Sequence, residues 1–151
     1  MGNRIDQMDK RMRKLDLALH EIPEDDQFTL HGPAEAWLTI VSWGSTRGAI
    51  RDAIRKVERS EHMRINNLQI RLMRPFPATG VSKILRESNR VLLLEENYSG
   101  QLGMLIAEQT GILIESKALK YTGRPFSQDD VVDAIRGVAT PVLHAKGPQS
   151  Q

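Results

Sequence analysis

Two stretches hold side chains whose types and spacing suit chemistry. Gly44-Ser45-Thr46-Arg47-Gly48 is a glycine turn with two hydroxyls, set just before a helical pattern. The free amides and dipole at such a helix start favour an anion. The turn matches neither Gly-x-Gly-x-x-Gly nor the phosphate loop ending in Gly-Lys-Ser/Thr. It therefore reads either as an ordinary helix cap or as a contact for a phosphate, a cofactor or a partner. Arg47, Arg51, Arg55 and Arg59 recur at steps of four and line one helix face, where like charges repel by roughly a few tenths of a kcal/mol per pair. Asp52, Glu58 and Glu61 offset part of this. A solvated face and a charged subunit interface both fit, because arginine pairs bidentately with carboxylates and an acidic partner would relieve the repulsion. The second stretch is Glu95-Glu96-Asn97-Tyr98-Ser99-Gly100-Gln101. Adjacent carboxylates on a strand point to opposite faces, which argues against a two-carboxylate hydrolase. Asn97, Tyr98 and Gln101 read as braces across a loop or as contacts to a neighbour.

The remaining candidates are weaker. His20, His31, His62 and His144 lie far apart with no metal-ligand spacing and read as surface or capping residues. Trp37 and Trp43 flank or lie in a strand and read as core. No nucleophile meets a base. The chain has no cysteine, which excludes disulfides, thiolate catalysis, iron–sulfur ligation and cysteine-based zinc sites. Its 21 basic and 19 acidic side chains leave a formal charge of +2, so the balance gives no argument for nucleic acid or an anionic membrane. No apolar run approaches the roughly 18 residues of a membrane span, and the charged start lacks the apolar core of a signal peptide. A cytoplasmic location is the expectation, and 151 residues suffice for one domain with an arm.

The elements that must position these residues follow from periodicity. Ile5, Met8, Met12, Leu15, Leu19 and Ile22 recur at steps of three and four, predicting an amphipathic helix over 3–22 that docks on its own domain or on a partner. Pro23 and Glu24-Asp25-Asp26 stop it. Phe28 to Leu30 is a short extended piece. A strand is predicted over 36–42, running into the glycine turn and a helix from about Thr46 to Ser60 capped by the Ser/Thr pair. Leu68 to Met73 alternates and predicts a strand with one wetter face. Val81 to Glu87 is a helix. Arg90 to Glu95, with its continuous apolar centre, suits a strand covered on both faces in the middle of the sheet. A helix from Leu102 is ended by Gly111, and Ile112-Leu113-Ile114 predicts a last short strand. Lys120 to Phe126 is a loop, and Ser127 with Asp130 forms an approximate capping box for the final helix. The sum is a three-layer α/β/α domain of four or five strands, mainly parallel, over 28–145, with an arm over 1–27 and a disordered tail over 146–151. Ligands and partners of such sheets meet the carboxyl ends of the strands.

Four words carry a family resemblance: Val41-Ser42-Trp43-Gly44-Ser45-Thr46-Arg47-Gly48, Arg71-Leu72-Met73-Arg74-Pro75-Phe76-Pro77, Leu94-Glu95-Glu96-Asn97-Tyr98-Ser99-Gly100-Gln101-Leu102, and Lys120-Tyr121-Thr122-Gly123-Arg124-Pro125-Phe126. In this order and spacing the chain, over about residues 5–137, resembles the carboxyl-terminal part of the alpha subunit of 2-oxoacid:ferredoxin oxidoreductases, the 2-oxoglutarate type above all. The resemblance implies a fold similar to the carboxyl-terminal domain of transketolase, with a five-stranded, mostly parallel sheet. It also implies a parent enzyme that turns a 2-oxoacid and coenzyme A into acyl-CoA and carbon dioxide and passes electrons to ferredoxin. That enzyme uses thiamine diphosphate, Mg²⁺ and an iron–sulfur cluster. The amino-terminal alpha domain that faces the thiamine ring and the beta subunit with the diphosphate site are not in this stretch, so it is expected to be an expressed fragment or a truncated subunit, inactive alone. No catalytic, cofactor or metal residue carries over. Gly44, Ser45, Thr46, Arg47, Arg51, Arg55, Glu95, Asn97, Gln101 and Arg124 are the candidate interface or anion contacts. The rival reading is a free-standing anion- or nucleotide-binding module using the turn from Gly44 to Gly48.

Overall fold

Alternating and continuous apolar runs become strands, three-and-four repeats become helices, and the topology stacks them in three layers. The computed structural model describes residues 2–139. Its elements are α1 (Gly2–Glu21), α2 (Glu24–Gln27), β1 (Phe28–His31), β2 (Leu38–Trp43), a 3-10 turn (Gly44–Thr46), α3 (Arg47–Glu61), β3 (Ile65–Ile70), α4 (Ala78–Glu87), β4 (Val91–Glu95), α5 (Gln101–Thr110), β5 (Ser116–Leu119) and α6 (Gln128–Ala139). The strands lie in the order β1-β3-β2-β4-β5. All pairings are parallel except the edge pair, where Phe28 faces Ile70 across antiparallel strands.

Side-chain alternation sorts the core onto two faces. Val41, Leu68, Ile70 and Leu93 pack with Val81 and Leu85 of α4 and Leu102 and Ile106 of α5. Leu38, Ile40, Ile65, Leu92 and Leu94 pack on the other face with Ile50, Ala53 and Val57 of α3 and Val131, Val132 and Ile135 of α6. The α/β/α order with a mostly parallel five-stranded sheet agrees with the expectation from sequence. The tail expected over 146–151, the end of the expected domain and His144 lie outside the described residues.

Several local expectations shift. The first long strand runs Leu38–Trp43, and Val91–Glu95 is covered on both faces but is not the sheet centre. That place belongs to β2, which has β3 and β1 on one side and β4 and β5 on the other. The strand expected over Leu68–Met73 is Ile65–Ile70, and all six residues are buried, with no wetter face. The alternation misleads because the amide NH2 groups are satisfied internally, although Asn66 Oδ1 is buried without a hydrogen-bond partner among the described residues. Asn67 Nδ2 donates to the Ile40 carbonyl (2.8 Å) and Ser42 Oγ (3.0 Å), Gln69 accepts from Ser42 Oγ (3.2 Å), and Asn66 Nδ2 donates to the Pro33 carbonyl (2.9 Å). A buried amide with such partners loses little of its hydration energy. Ile112-Leu113-Ile114 is not a strand. Ile114 is a buried anchor while Leu113 is 69% exposed, and pairing begins only where Ser116 draws level with Leu92. After Pro23 the acidic run forms the short helix α2, and the helix expected from Val81 starts at Ala78. Trp43, expected in the core, is exposed at the end of β2, past the cover of the flanking helices.

The arm is helical, as its periodicity predicts, but it docks by one end only. Leu15, Leu19 and Ile22 are half-buried, and Gln27 Nε2 ties the carbonyls of Leu19 (3.0 Å) and Ile22 (2.7 Å) to the sheet domain. Ile5, Met8 and Met12 remain exposed.

Candidate functional site

The chain leaves β2 into α3 on one face of the sheet and leaves β4 into α5 on the other, so the carboxyl ends of β2 and β4 form the switch point at which open α/β sheets take ligands. Here the protein uses one of its own carboxylates. Glu95, the last residue of β4, is fully buried. Its Oε1 accepts from Leu102 N (2.9 Å) and Asn97 Nδ2 (2.8 Å), and its Oε2 accepts from Gly103 N (3.2 Å). Asn97 Oδ1 then accepts from Gly100 N (2.7 Å) and Gln101 N (3.4 Å). The positive end of α5, where an external anion would bind, is filled from within. Gly100 takes φ 68° in this loop, a left-handed conformation that glycine tolerates at no steric cost.

Glu96, the first residue after β4, accepts from Phe126 N (2.8 Å), joining the β4 loop to the loop that follows β5. The two loops bring Tyr98 and Tyr121 into edge contact with ring centroids 4.9 Å apart, both mostly exposed. Arg124 is exposed in the same loop. The far end of that loop is closed by a capping box. Asp130 Oδ2 accepts from Ser127 N and Oγ (both 2.7 Å), and Asp130 N donates to Ser127 Oγ (3.2 Å). Lys120 Nζ lies 2.6 Å from the same carboxylate. Hydrogen bonds from Lys120 and Ser127 hold Asp130 well below the usual carboxylate range.

The glycine turn does not cap α3 by a side chain. Thr46 Oγ1 donates to the Trp43 carbonyl (3.0 Å) and Gln69 Nε2 to the Gly44 carbonyl (3.2 Å), so the 3-10 turn itself leads into the helix. Gly44 and Ser45 are exposed. Glu95, Asn97 and Gln101 thus meet in one clasp and Arg124 lies in the adjoining loop. Arg47, Arg51 and Arg55 belong to a separate wall, a groove beside β1 that they share with His31. From sequence, His31 reads as a surface or capping residue and Tyr98 as a loop brace or neighbour contact; the groove at His31 and the Tyr98–Tyr121 pair emerge only in space. The alternation Phe28-Thr29-Leu30-His31 signals that Thr29 and His31 share a face, whereas nothing in sequence joins two tyrosines 23 positions apart.

The donor set does not suit the cofactors that the resemblance implies. The chain has no cysteine for a cluster, its buried carboxylate among the described residues is held by the amides of α5, and no three His, Asp or Glu among those residues gather as a metal would need.

The topology and edge define a three-layer α/β domain on a mostly parallel five-stranded sheet. Residues 36–135 match the family model of pyruvate:ferredoxin oxidoreductase core domain II, and the chain belongs to that family. The alpha subunit of a 2-oxoacid:ferredoxin oxidoreductase from Saccharolobus solfataricus is 36% identical over 136 residues, covering 90% of this chain and 21% of that subunit. The fold is shared with the solved 2-oxoglutarate:ferredoxin oxidoreductase from Magnetococcus marinus with 2-oxoglutarate, coenzyme A and succinyl-CoA bound. Its TM-score is 0.78 at 24% identity, over 92% of this chain and 24% of that one. The fold is also shared with a split-gene transketolase in an inactive β4 tetramer, with TM-score 0.61 at 20% identity, over 78% of this chain and 43% of that one. The chain spans about a fifth of the length of the curated relatives it matches. No helix among the described residues is long and apolar enough to cross a membrane.

Proposed function

We propose that this chain is a structural and subunit-contact domain of the alpha subunit of a 2-oxoacid:ferredoxin oxidoreductase, inactive by itself, with residues 1–27 as arm and linker and 28–145 as the domain proper. The parent enzyme converts a 2-oxoacid and coenzyme A to acyl-CoA and carbon dioxide and passes electrons to ferredoxin. Thiamine diphosphate, Mg²⁺ and the iron–sulfur cluster sit in its other parts, the amino-terminal alpha domain and the beta subunit. The likeness to the Magnetococcus marinus enzyme, which holds 2-oxoglutarate, favours that acid as substrate. The chain works in the cytoplasm.

The observation that carries this reading is the pair Tyr98 and Tyr121, 75% and 63% exposed on loops that Glu95, Asn97 and Glu96 hold rigid. Rigid exposed aromatics flanked by arginine, here Arg124, resemble the residues that dominate protein interfaces. A loop fixed in advance loses little entropy on docking. The expected result is that the purified chain gives no 2-oxoacid-dependent reduction of an electron acceptor, while the chain mixed with the remaining subunits assembles. Tyr98→Ala with Tyr121→Ala should weaken assembly by about tenfold or more, read by analytical ultracentrifugation. Dye reduction by the chain alone, or assembly indifferent to both tyrosines, would refute the reading.

A further inference from the structure

Beside the edge strand lies a groove that the interface reading does not use. His31 of β1 opens onto a cavity of about 210 Å³ lined also by Arg47, Arg51, Arg55, Ile54, Ile65 and Glu58. A second cavity of about 600 Å³ shares His31 and Arg47 with the first and continues toward Trp43 and Arg71. One wall is therefore three successive turns of α3, each presenting a guanidinium at about 6 Å of helix rise from the next.

The charges on this wall are poorly matched. Arg51 and Arg55 share the single carboxylate of Asp52 at 3.5 Å and 3.9 Å, and among the described residues no carboxylate pairs with Arg47. Glu58 is the acidic residue of the lining. The floor between them is polar but closed. Asn67 and Gln69 give their amides to Ile40, Ser42 and Gly44, and His31 Nε2 engages Thr29 Oγ1 at 2.9 Å. The unmet demand in the groove is thus for negative charge, borne by a group that two neighbouring guanidinium forks can clasp bidentately. Apolar Ile54 and Ile65 lower the local polarity and strengthen such pairing.

We propose that this groove binds a small ligand bearing a diphosphate, with its two phosphoryl groups on Arg47 and Arg51 and with Arg55 and His31 at its flank. A lone carboxylate would leave half of the wall unmatched. The proposal stands apart from the interface reading, because assembly tests the tyrosine edge and ligand titration tests α3.

The test is calorimetric titration of the 151-residue chain with inorganic pyrophosphate, ADP and acetate at low salt, alongside NMR of the histidine rings. Pyrophosphate and ADP should each give one saturable heat, with Kd below about 1 mM, and acetate none over the same range. Equal affinities would show that the groove reads the diphosphate alone, and tighter ADP that it also reads the nucleoside; both outcomes support the site. The His31 resonances should move and those of His62, at the other end of α3, should not. Arg47→Gln and Arg51→Gln should each weaken binding about tenfold or more without moving the unfolding midpoint, since both side chains are exposed. No saturable heat, acetate binding as tightly as pyrophosphate, or unchanged binding in both variants would overturn the proposal.

Discussion

Glu95 is fully desolvated, yet its carboxylate meets three donors, two of them backbone amides at the start of α5. Burial of a charge is costly unless it is hydrogen-bonded, and here the bonds fix the loop that presents Tyr98. Glu95→Gln keeps the shape but turns an amide toward a donor. It should cost about 2 to 3 kcal/mol, read from the urea midpoint, and should broaden the Tyr98 and Tyr121 ring signals. A loss under about 0.5 kcal/mol would mean that the clasp is not what holds this loop.

At the scale of elements, two helical glycines make opposite predictions. A Cβ at Gly48 would meet nothing within 4 Å in α3, whereas at Gly80 in α4 it would lie 2.5 Å from Phe28 Cζ, a ring packed 6% exposed in the core. Gly48→Ala should therefore raise stability by up to about 1 kcal/mol from helix propensity. Gly80→Ala should lower it by about 1 to 2 kcal/mol, because overpacking outweighs the same propensity gain. Thermal midpoints of the two variants, measured together, check both signs. The exposed Ile5, Met8 and Met12 of α1 show the same logic in reverse, since a helix can form by its periodicity while half of its apolar stripe finds no cover among the described residues.

For the whole molecule, stability should fall with acid over two pH ranges. Burial, with the nearby Arg47, lowers the His31 pKa from 6.5. The unfolded chain then takes up a proton at this ring first, and stability falls as pH drops through about 6.5 toward the folded value. Asp130, held low by Lys120 and Ser127, stabilises the fold fully above 3.8, and that contribution is lost as pH falls from 3.8 through the depressed folded value. Urea titrations at several pH values should show both slopes. Asp130→Asn should flatten only the one below about pH 4, and a wild-type profile flat from neutral to that pH would contradict the His31 assignment.

Local pattern was enough for the layered α/β class, the helices with the stop at Gly111 and the cap at Ser127, and the strand-turn-helix around Gly44. Those features depend on neighbours in sequence, whose propensities and periods act over one or two turns. What pattern missed was decided across space. Asn66, Asn67 and Gln69 look wet in sequence but are buried because Ile40, Ser42 and Pro33 supply partners. Ile112-Leu113-Ile114 looks like a strand but lies before the level at which β4 offers hydrogen bonds. The site divides in the same way. The arginine stripe and the Glu95 loop were legible as residues, but only packing showed that one carboxylate fills the switch-point helix from inside, and that His31 and three arginines share a groove. Sequence fixes which groups are present and which local element carries each one. Tertiary structure alone determines which charges find partners and which are left facing solvent, because that depends on contacts between segments far apart in the chain.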